Sequence, residues 1–307
     1  MRLLLKLSFV FYYFTFSAHA QALTVQDQKG DFHIDNVPQR IVVLEFSFVD
    51  ALASVGVSPI GIADDKDSTR IIKEIKDVIG EWTSVGTRSQ PSLEVIASLK
   101  PDLIIADIDR HEVIYQDLKK IAPTLILPSR RETYQGNLKA AEIIGKVLGK
   151  DQEMQLRLLQ HQQIMARFKA QLPQDIELQF GIALEDYMAM HPGQSYVGSL
   201  IQSLGIATPA LISDEKASVH TGLEQLVAMN PQYMIIGHYS AKDIVTTWQK
   251  EYLWDLLQAV RNKRVYHINN PSLWSRSRGI IAAEIIAEQL VYLLNPNAQI
   301  GLGSLDE

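Results

Sequence analysis

Short apolar runs alternate with segments of helical periodicity along most of the chain. Ile41-Val-Val-Leu-Glu-Phe46 reads as a buried strand, followed by a helix from about Phe48 to Val55 and a second strand at Pro59–Ala63. Leu103–Ala106 and Leu125–Leu127 read as two more, with an amphipathic segment from about Glu112 to Ile121 between them. Continuous apolar strands separated by helices predict a parallel, doubly wound sheet with both faces covered. From about Gln135 to Leu172 the strand pattern stops and two helical runs follow, broken near Gly149-Lys150. The second, Asp151–Leu172, repeats apolar residues at Met154, Leu158, Ile164, Met165 and Phe168, with Pro173 as its stop. At 1.5 Å per residue it spans roughly 30 Å, about one domain diameter. Strand patterns resume at Leu178–Leu184, Tyr233–Gly237 and Val265–Ile268.

The two strand-bearing halves repeat each other. Leu93-Glu-Val-Ile-Ala-Ser-Leu-Lys-Pro-Asp-Leu-Ile-Ile105 aligns with Leu223-Glu-Gln-Leu-Val-Ala-Met-Asn-Pro-Gln-Tyr-Met-Ile235, and Ala51–Val57 aligns with Leu200–Ile206 in the same order. Two matches in register indicate two related α/β lobes joined by the long helix. The expected division is a first lobe at residues 23–150, a connecting helix at 151–172 and a second lobe at 173–307.

Residues 1–22 are set apart from this pattern. Arg2 and Lys6 precede an apolar stretch at Leu7–Phe16, and Ala18-His19-Ala20 is a small-x-small cleavage site, with Ala20-Gln21-Ala22 as a second choice. That is the form of a secretory signal, and its apolar run is too short to span a bilayer. The chain contains no cysteine, so neither disulfides nor a lipidated cysteine is expected. The mature protein is therefore expected free in a periplasm and, as a working expectation, monomeric. Net charge is −6, and −8 once the first 22 residues are removed. An acidic whole argues against nucleic acid as a partner. It also makes clustered arginines more informative.

Enzyme signatures fail in detail. Gly193-Gln-Ser-Tyr-Val197 lacks the last glycine of a nucleophile elbow, Ser213-Asp-Glu-Lys216 has no Lys-Thr-Gly downstream, and no Gly-x-Gly-x-x-Gly follows the first strand. The eight histidines form no metal-spaced pair, and Asp64-Asp65-Lys66-Asp67 lacks the glycine and distal glutamate of a calcium loop, so a polar turn is expected there.

Several stretches resemble the siderophore-binding class of periplasmic binding proteins: Pro38–Glu45, Val57–Asp65, Ser84–Arg88, Gln90–Glu94, Lys100–Asp107, Gly222–Leu226 and Arg276–Gly279. With Thr24–Asp27 as a further matching stretch, the resemblance extends over essentially the whole mature chain. The resemblance implies two α/β lobes on a rigid helical backbone, an inner-membrane ABC permease and ATPase as partners, and ferric dicitrate as cargo. Iron would be bound through its citrate shell, with no cofactor or direct metal ligand on the protein. Another siderophore, haem or cobalamin is the alternative cargo. The resemblance also assigns Glu94 and Glu224, at equivalent places in the repeat, to docking on permease arginines, although acids at helix starts are also favoured by the helix dipole alone.

In doubly wound sheets the ligand sits beyond the carboxyl ends of the strands. That edge carries Arg88, Arg110, Arg130, Arg276 and Arg278, with Trp274 beside them. Guanidinium suits a carboxylate-coated ligand because it pairs bidentately and keeps its charge, and Trp274 is expected against the ligand or an arginine face. Replacing Arg88 and Arg278 together by alanine is expected to weaken ferric citrate binding sharply and leave the fold intact. A continuous helix between lobes is expected to allow little hinge motion.

Overall fold

The computed structural model describes residues 23–210 and 217–298 of the 307-residue chain. The export segment read at residues 1–22 lies outside the described residues. The chain opens with a hairpin of β1 (Leu23–Asp27) and β2 (Gly30–Ile34), tied down where Asp27 Oδ2 accepts the Ile126 N–H. The first lobe then runs β3 (Ile41–Val43), α1 (Phe46–Ser54), β4 (Gly61–Ile62), α2 (Lys73–Lys76), β5 (Thr83–Ser84) and α3 (Leu93–Ser98). It continues through β6 (Leu103–Asp107), α4 (Ile108–His111), α5 (Tyr115–Ile121) and β7 (Thr124–Leu127). Two long helices follow, α6 (Tyr134–Val147) and α7 (Asp151–Gln171).

The second lobe begins with β8 (Leu178–Ala183), β9 (Met188–Met190), α8 (Tyr196–Ser203), β10 (Val219–Thr221) and α9 (Leu223–Met229). Then come β11 (Tyr233–His238), α10 (Ile244–Trp248), α11 (Tyr252–Leu256), α12 (Gln258–Arg261) and β12 (Val265–Ile268). Two helices close the described chain, α13 (Pro271–Ser275) and α14 (Ile280–Leu294).

The sheets are ordered β5-β4-β3-β6-β7 and β10-β9-β8-β11-β12, the same order in each half. The first is parallel throughout. The second departs from the expected all-parallel winding, since β9 runs antiparallel to both β8 and β10. Only residues 184–187 join β8 to β9, too few for a crossover helix, so the chain reverses in place.

Strand side chains alternate between two faces. In the first sheet Ile41, Val43, Leu103, Ile105, Leu125 and Leu127 face the other lobe, while Val42, Ile104, Ala106 and Ile126 face α3 and α5. In the second, Phe180, Ile182, Ile235 and Ile268 face inward, and Met188, Met190, Met234 and Ile236 pack under α9 to α12. The inward faces meet α1, α6, α7, α8 and α14 in one continuous core. Each large apolar side chain buried there stabilises the fold by about 1.5–3 kcal/mol, so the waist between the lobes is part of the folded core.

The waist is more than one helix. α14 packs on α7 and α1, and Arg157 and His161 of α7 hold Glu284 at 2.7 and 2.8 Å. Asp50 of α1 caps α14, accepting the N–H groups of Ile280, Ile281 and Ala282 at 2.7, 3.1 and 3.0 Å. The cap requires Gly279, which sits at φ +125°, where a β-carbon would overlap the Asp50 carboxylate. Among the described residues no helix is long and apolar enough to cross a membrane.

Candidate functional site

A cavity of about 310 Å³ lies between the lobes. The first lobe lines it with Arg88, Arg110 and Arg130 alone; Arg276 and Arg278 reach it from the second, so all five expected arginines meet in one space. The rest of the second-lobe wall is apolar or neutral, with Ile182, Leu184, Val197, Ser195, Ser277 and His191 prominent.

Glu45 organises the arginines. It caps the first turn of α1, accepting the Phe46 N–H at 3.1 Å, which starts that helix two residues before the expected Phe48. Fully buried, its carboxylate takes Arg88 Nη1 on one oxygen and Arg110 Nε on the other, both at 2.8 Å, with Arg278 Nη1 at 3.8 Å. Burial works to raise its pKa, but Arg88, Arg278 and Arg110 outweigh burial and hold it at about 2. One carboxylate from the first lobe thus spaces guanidiniums from both.

Arg88 is held further by Asp65, which accepts from its backbone N–H, Nε and Nη2 at 2.9, 3.1 and 2.8 Å. Its guanidinium lies 3.8 Å over the Phe46 ring, and its carbonyl meets His111 Nε2 at 2.7 Å. Only 5% exposed, Arg88 is as much a buried brace as a ligand contact. Removing it would take one cationic partner from buried Glu45 and one from part-buried Asp65, so a cost to the fold is expected beside the loss of binding, where the sequence reading expected none. The Asp64–Asp67 stretch is the expected polar turn, with Asp64 taking Trp82 Nε1 and the Ser84 hydroxyl.

The other arginines are less committed. Arg276 stacks 4.6 Å over Tyr239, whose hydroxyl meets Ser275 Oγ at 2.7 Å. Arg278 donates to the Arg276 carbonyl at 3.3 Å. For Arg278, burial presses the pKa down, Glu45 pulls it up, and Arg88 and Arg110 add to the lowering. Arg130 is lowered by burial and by Arg110 and Arg131. A cluster of cations that repel one another in a partly desolvated space is a site prepared for an anion. Beneath it, burial and the charge of Glu45 push Asp107 up to about 6, and its Oδ2 has no hydrogen-bond partner.

Trp274 lines the cavity beside the arginines, as expected, but is largely committed to the core. It is 1% exposed, donates to Gln289 Oε1 at 2.7 Å and packs against Phe180 at 5.3 Å. It backs the cavity wall more than it offers a face to a ligand. His191, Ser195 and Tyr196 were not foreseen as lining residues, because nothing in their spacing marks them; sheet pairing and the α8 cap bring them there. No three His, Cys, Asp or Glu are arranged to hold a metal ion among the described residues.

Glu94 and Glu224 lie far from this cavity's lining, both exposed in the first turn of equivalent helices, α3 and α9. Each helix follows the edge strand of its sheet, β5 or β10. Glu94 is lowered by its own backbone N–H and by the Ser92 hydroxyl, which donates at 3.0 Å.

The periplasmic binding protein family profile matches residues 41–271. The chain is 48% identical over 279 residues to the Fe(3+) dicitrate-binding periplasmic protein FecB of Escherichia coli (strain K12), covering 91% of this chain and 92% of that protein. It is 41% identical over 269 residues to the Fe(3+)-citrate-binding protein YfmC of Bacillus subtilis (strain 168), covering 87% and 84%. Among solved structures, Staphylococcus aureus SirA complexed with staphyloferrin B superposes with a TM-score of 0.77 at 24% identity, over 89% of this chain and 98% of that one. These relatives are binding proteins, and the structural likeness is one of fold.

Proposed function

We propose, for a chain that belongs to the periplasmic binding protein family, that it captures an anionic ferric citrate chelate between its lobes and delivers it to an inner-membrane ABC importer. The observation that carries this reading is the convergence of Arg88, Arg110, Arg130, Arg276 and Arg278 on one cavity. Citrate supplies the iron ligands, and the protein holds the carboxylates outside them, so no cofactor takes part and nothing is turned over. Arg110, Arg130, Arg276 and Arg278 keep guanidinium edges for carboxylates, while Arg88 and Glu45 fix the spacing. Export by residues 1–22 would place the mature monomer in the periplasm without a lipid anchor, consistent with the relative named as periplasmic.

Calorimetric titration with ferric citrate tests the cargo. Tight binding is expected for the wild type and a loss of at least about tenfold for Arg130→Ala combined with Arg276→Ala, since each removes a charge-assisted bond of about 1.5–3 kcal/mol. Tighter binding of a catecholate chelate or haem than of ferric citrate would overturn the assignment.

Glu94 and Glu224 are the proposed docking points, one per lobe, their exposure at matching helix starts suiting a two-fold permease. Glu94→Lys and Glu224→Lys are each expected to weaken cargo-dependent stimulation of the importer's ATPase while leaving ferric citrate affinity unchanged. Full stimulation by the double variant would remove both from the interface.

A further inference from the structure

We propose that His191 is a further specificity-determining residue of the cavity, a neutral imidazole that hydrogen-bonds the captured chelate from the second-lobe wall. The inference rests on the cargo reading above and adds to it the one imidazole among the residues that line the cavity.

His191 follows β9, and its backbone N–H bonds the Phe180 carbonyl at 3.1 Å, which sets it beside β8 on the sheet face turned toward the first lobe. Its carbonyl accepts from Gln179 Nε2 at 2.9 Å, so the backbone on both sides of the ring is fixed. The imidazole packs on Phe180 with ring centroids 4.9 Å apart, and Trp274 packs on the same phenyl ring. This aromatic stack holds the ring against the cavity, which it lines. Among the described residues no hydrogen bond reaches either ring nitrogen. A neutral ring on the cavity lining therefore keeps one N–H and one lone pair to offer an occupant.

Charge explains why the ring stays neutral. Burial first, then the Arg278 guanidinium, bring its pKa down to about 3. Arg278 also belongs to the cluster with Arg88, Arg110 and Glu45, so a further positive charge at His191 would face the whole group. At periplasmic pH it is a donor–acceptor pair set beside guanidiniums that only donate. An arginine-only cavity would accept any compact polycarboxylate. A neutral imidazole opposite the first-lobe guanidiniums adds a directional bond at one point on the occupant's surface, and favours ligands that present an oxygen or hydroxyl there.

The test is calorimetric titration of ferric citrate against wild type, His191→Phe and His191→Gln, together with an NMR pH titration of the His191 ring in the free protein. Phe keeps the packing on Phe180 and removes the hydrogen bonds; Gln keeps a neutral donor and acceptor. Expected are a loss of at least about tenfold for His191→Phe, recovery to within about threefold for His191→Gln, unchanged thermal stability in both, and a ring that stays neutral down to pH 5. An affinity unchanged in His191→Phe would reduce the ring to packing alone, and a loss in His191→Gln as large as in His191→Phe would show that a neutral donor and acceptor at this place does not restore binding; either overturns the inference. An imidazole titrating near its ordinary midpoint overturns it without reference to cargo. Absence of ferric citrate binding by the wild type would instead remove the cargo reading, and the ring titration would still decide whether the neutral group exists.

Discussion

Glu45, Asp65 and Arg88 form a buried ion cluster whose members answer to one another, so a single truncation reports on all three. Arg88→Ala leaves Glu45 with Arg110 and the more distant Arg278, and Asp65 with Arg70. Removing one partner of a buried pair typically costs about 3–5 kcal/mol, and the remaining arginines offset part of that. Arg88→Ala is therefore expected to lower unfolding stability at pH 7 by up to that amount, in addition to weakening binding. The pH dependence has a definite sign. Glu45 and Asp65 are both held at about 2, below their ordinary carboxylate values. Their contribution is complete above about pH 4.3 and drains away as pH falls toward 2. Denaturant unfolding followed from pH 6 to pH 2.5 should show a steep acid limb in the wild type and a flatter one in Arg88→Ala. Matching stabilities for the two proteins at pH 7 would show that the buried pairs add nothing to the fold.

The elements that position these residues were legible in the sequence to different degrees. The long helix was visible because Met154, Leu158, Met165 and Phe168 keep a helical period and nothing between them breaks it. The repeat was visible because Pro101 and Pro231 mark the same helix-to-strand junction in both halves, and α3–β6 and α9–β11 fill those places. The arginines were visible as a dense positive set on one sheet edge of an acidic chain. What stayed hidden depends on contacts remote in sequence. β9 and β10 are three residues each, too short for periodicity, and their antiparallel pairing follows from the reversal at residues 184–187. Nothing near Asp50 marks it as the cap of a helix 230 residues away, nor Gly279 as the residue that makes room for it. His191 was unmarked for the same reason. Trp274 was placed at the cavity by its neighbours in sequence, but adjacency to arginines says nothing about its other partners, Gln289 and Phe180.

At the scale of the whole molecule, the ligand segment and the waist are one mechanical unit. Arg276 and Arg278 stand immediately before α14, whose first turn is capped from α1 of the first lobe by Asp50. The same helix α1 begins at Glu45, which holds Arg88 and Arg110 and lies near Arg278. First-lobe acids at two points along α1 thus set the position of second-lobe cations, and the core behind them is continuous between the sheets. Domain closure by a hinge needs a few loop residues free to absorb large backbone rotations. Here such a rotation would break the Asp50 cap, the Arg157–Glu284 pair at 2.7 Å and the shared apolar core together. Ligand capture is therefore expected to proceed by side-chain and loop adjustment within a preformed gap. Small-angle scattering of the free and the ferric citrate-saturated protein should give radii of gyration that agree within about 0.5 Å, as expected when partners move little on binding. A clear compaction on saturation would mean that the waist yields, and that the spacing of the five arginines is made by the ligand and not by α1.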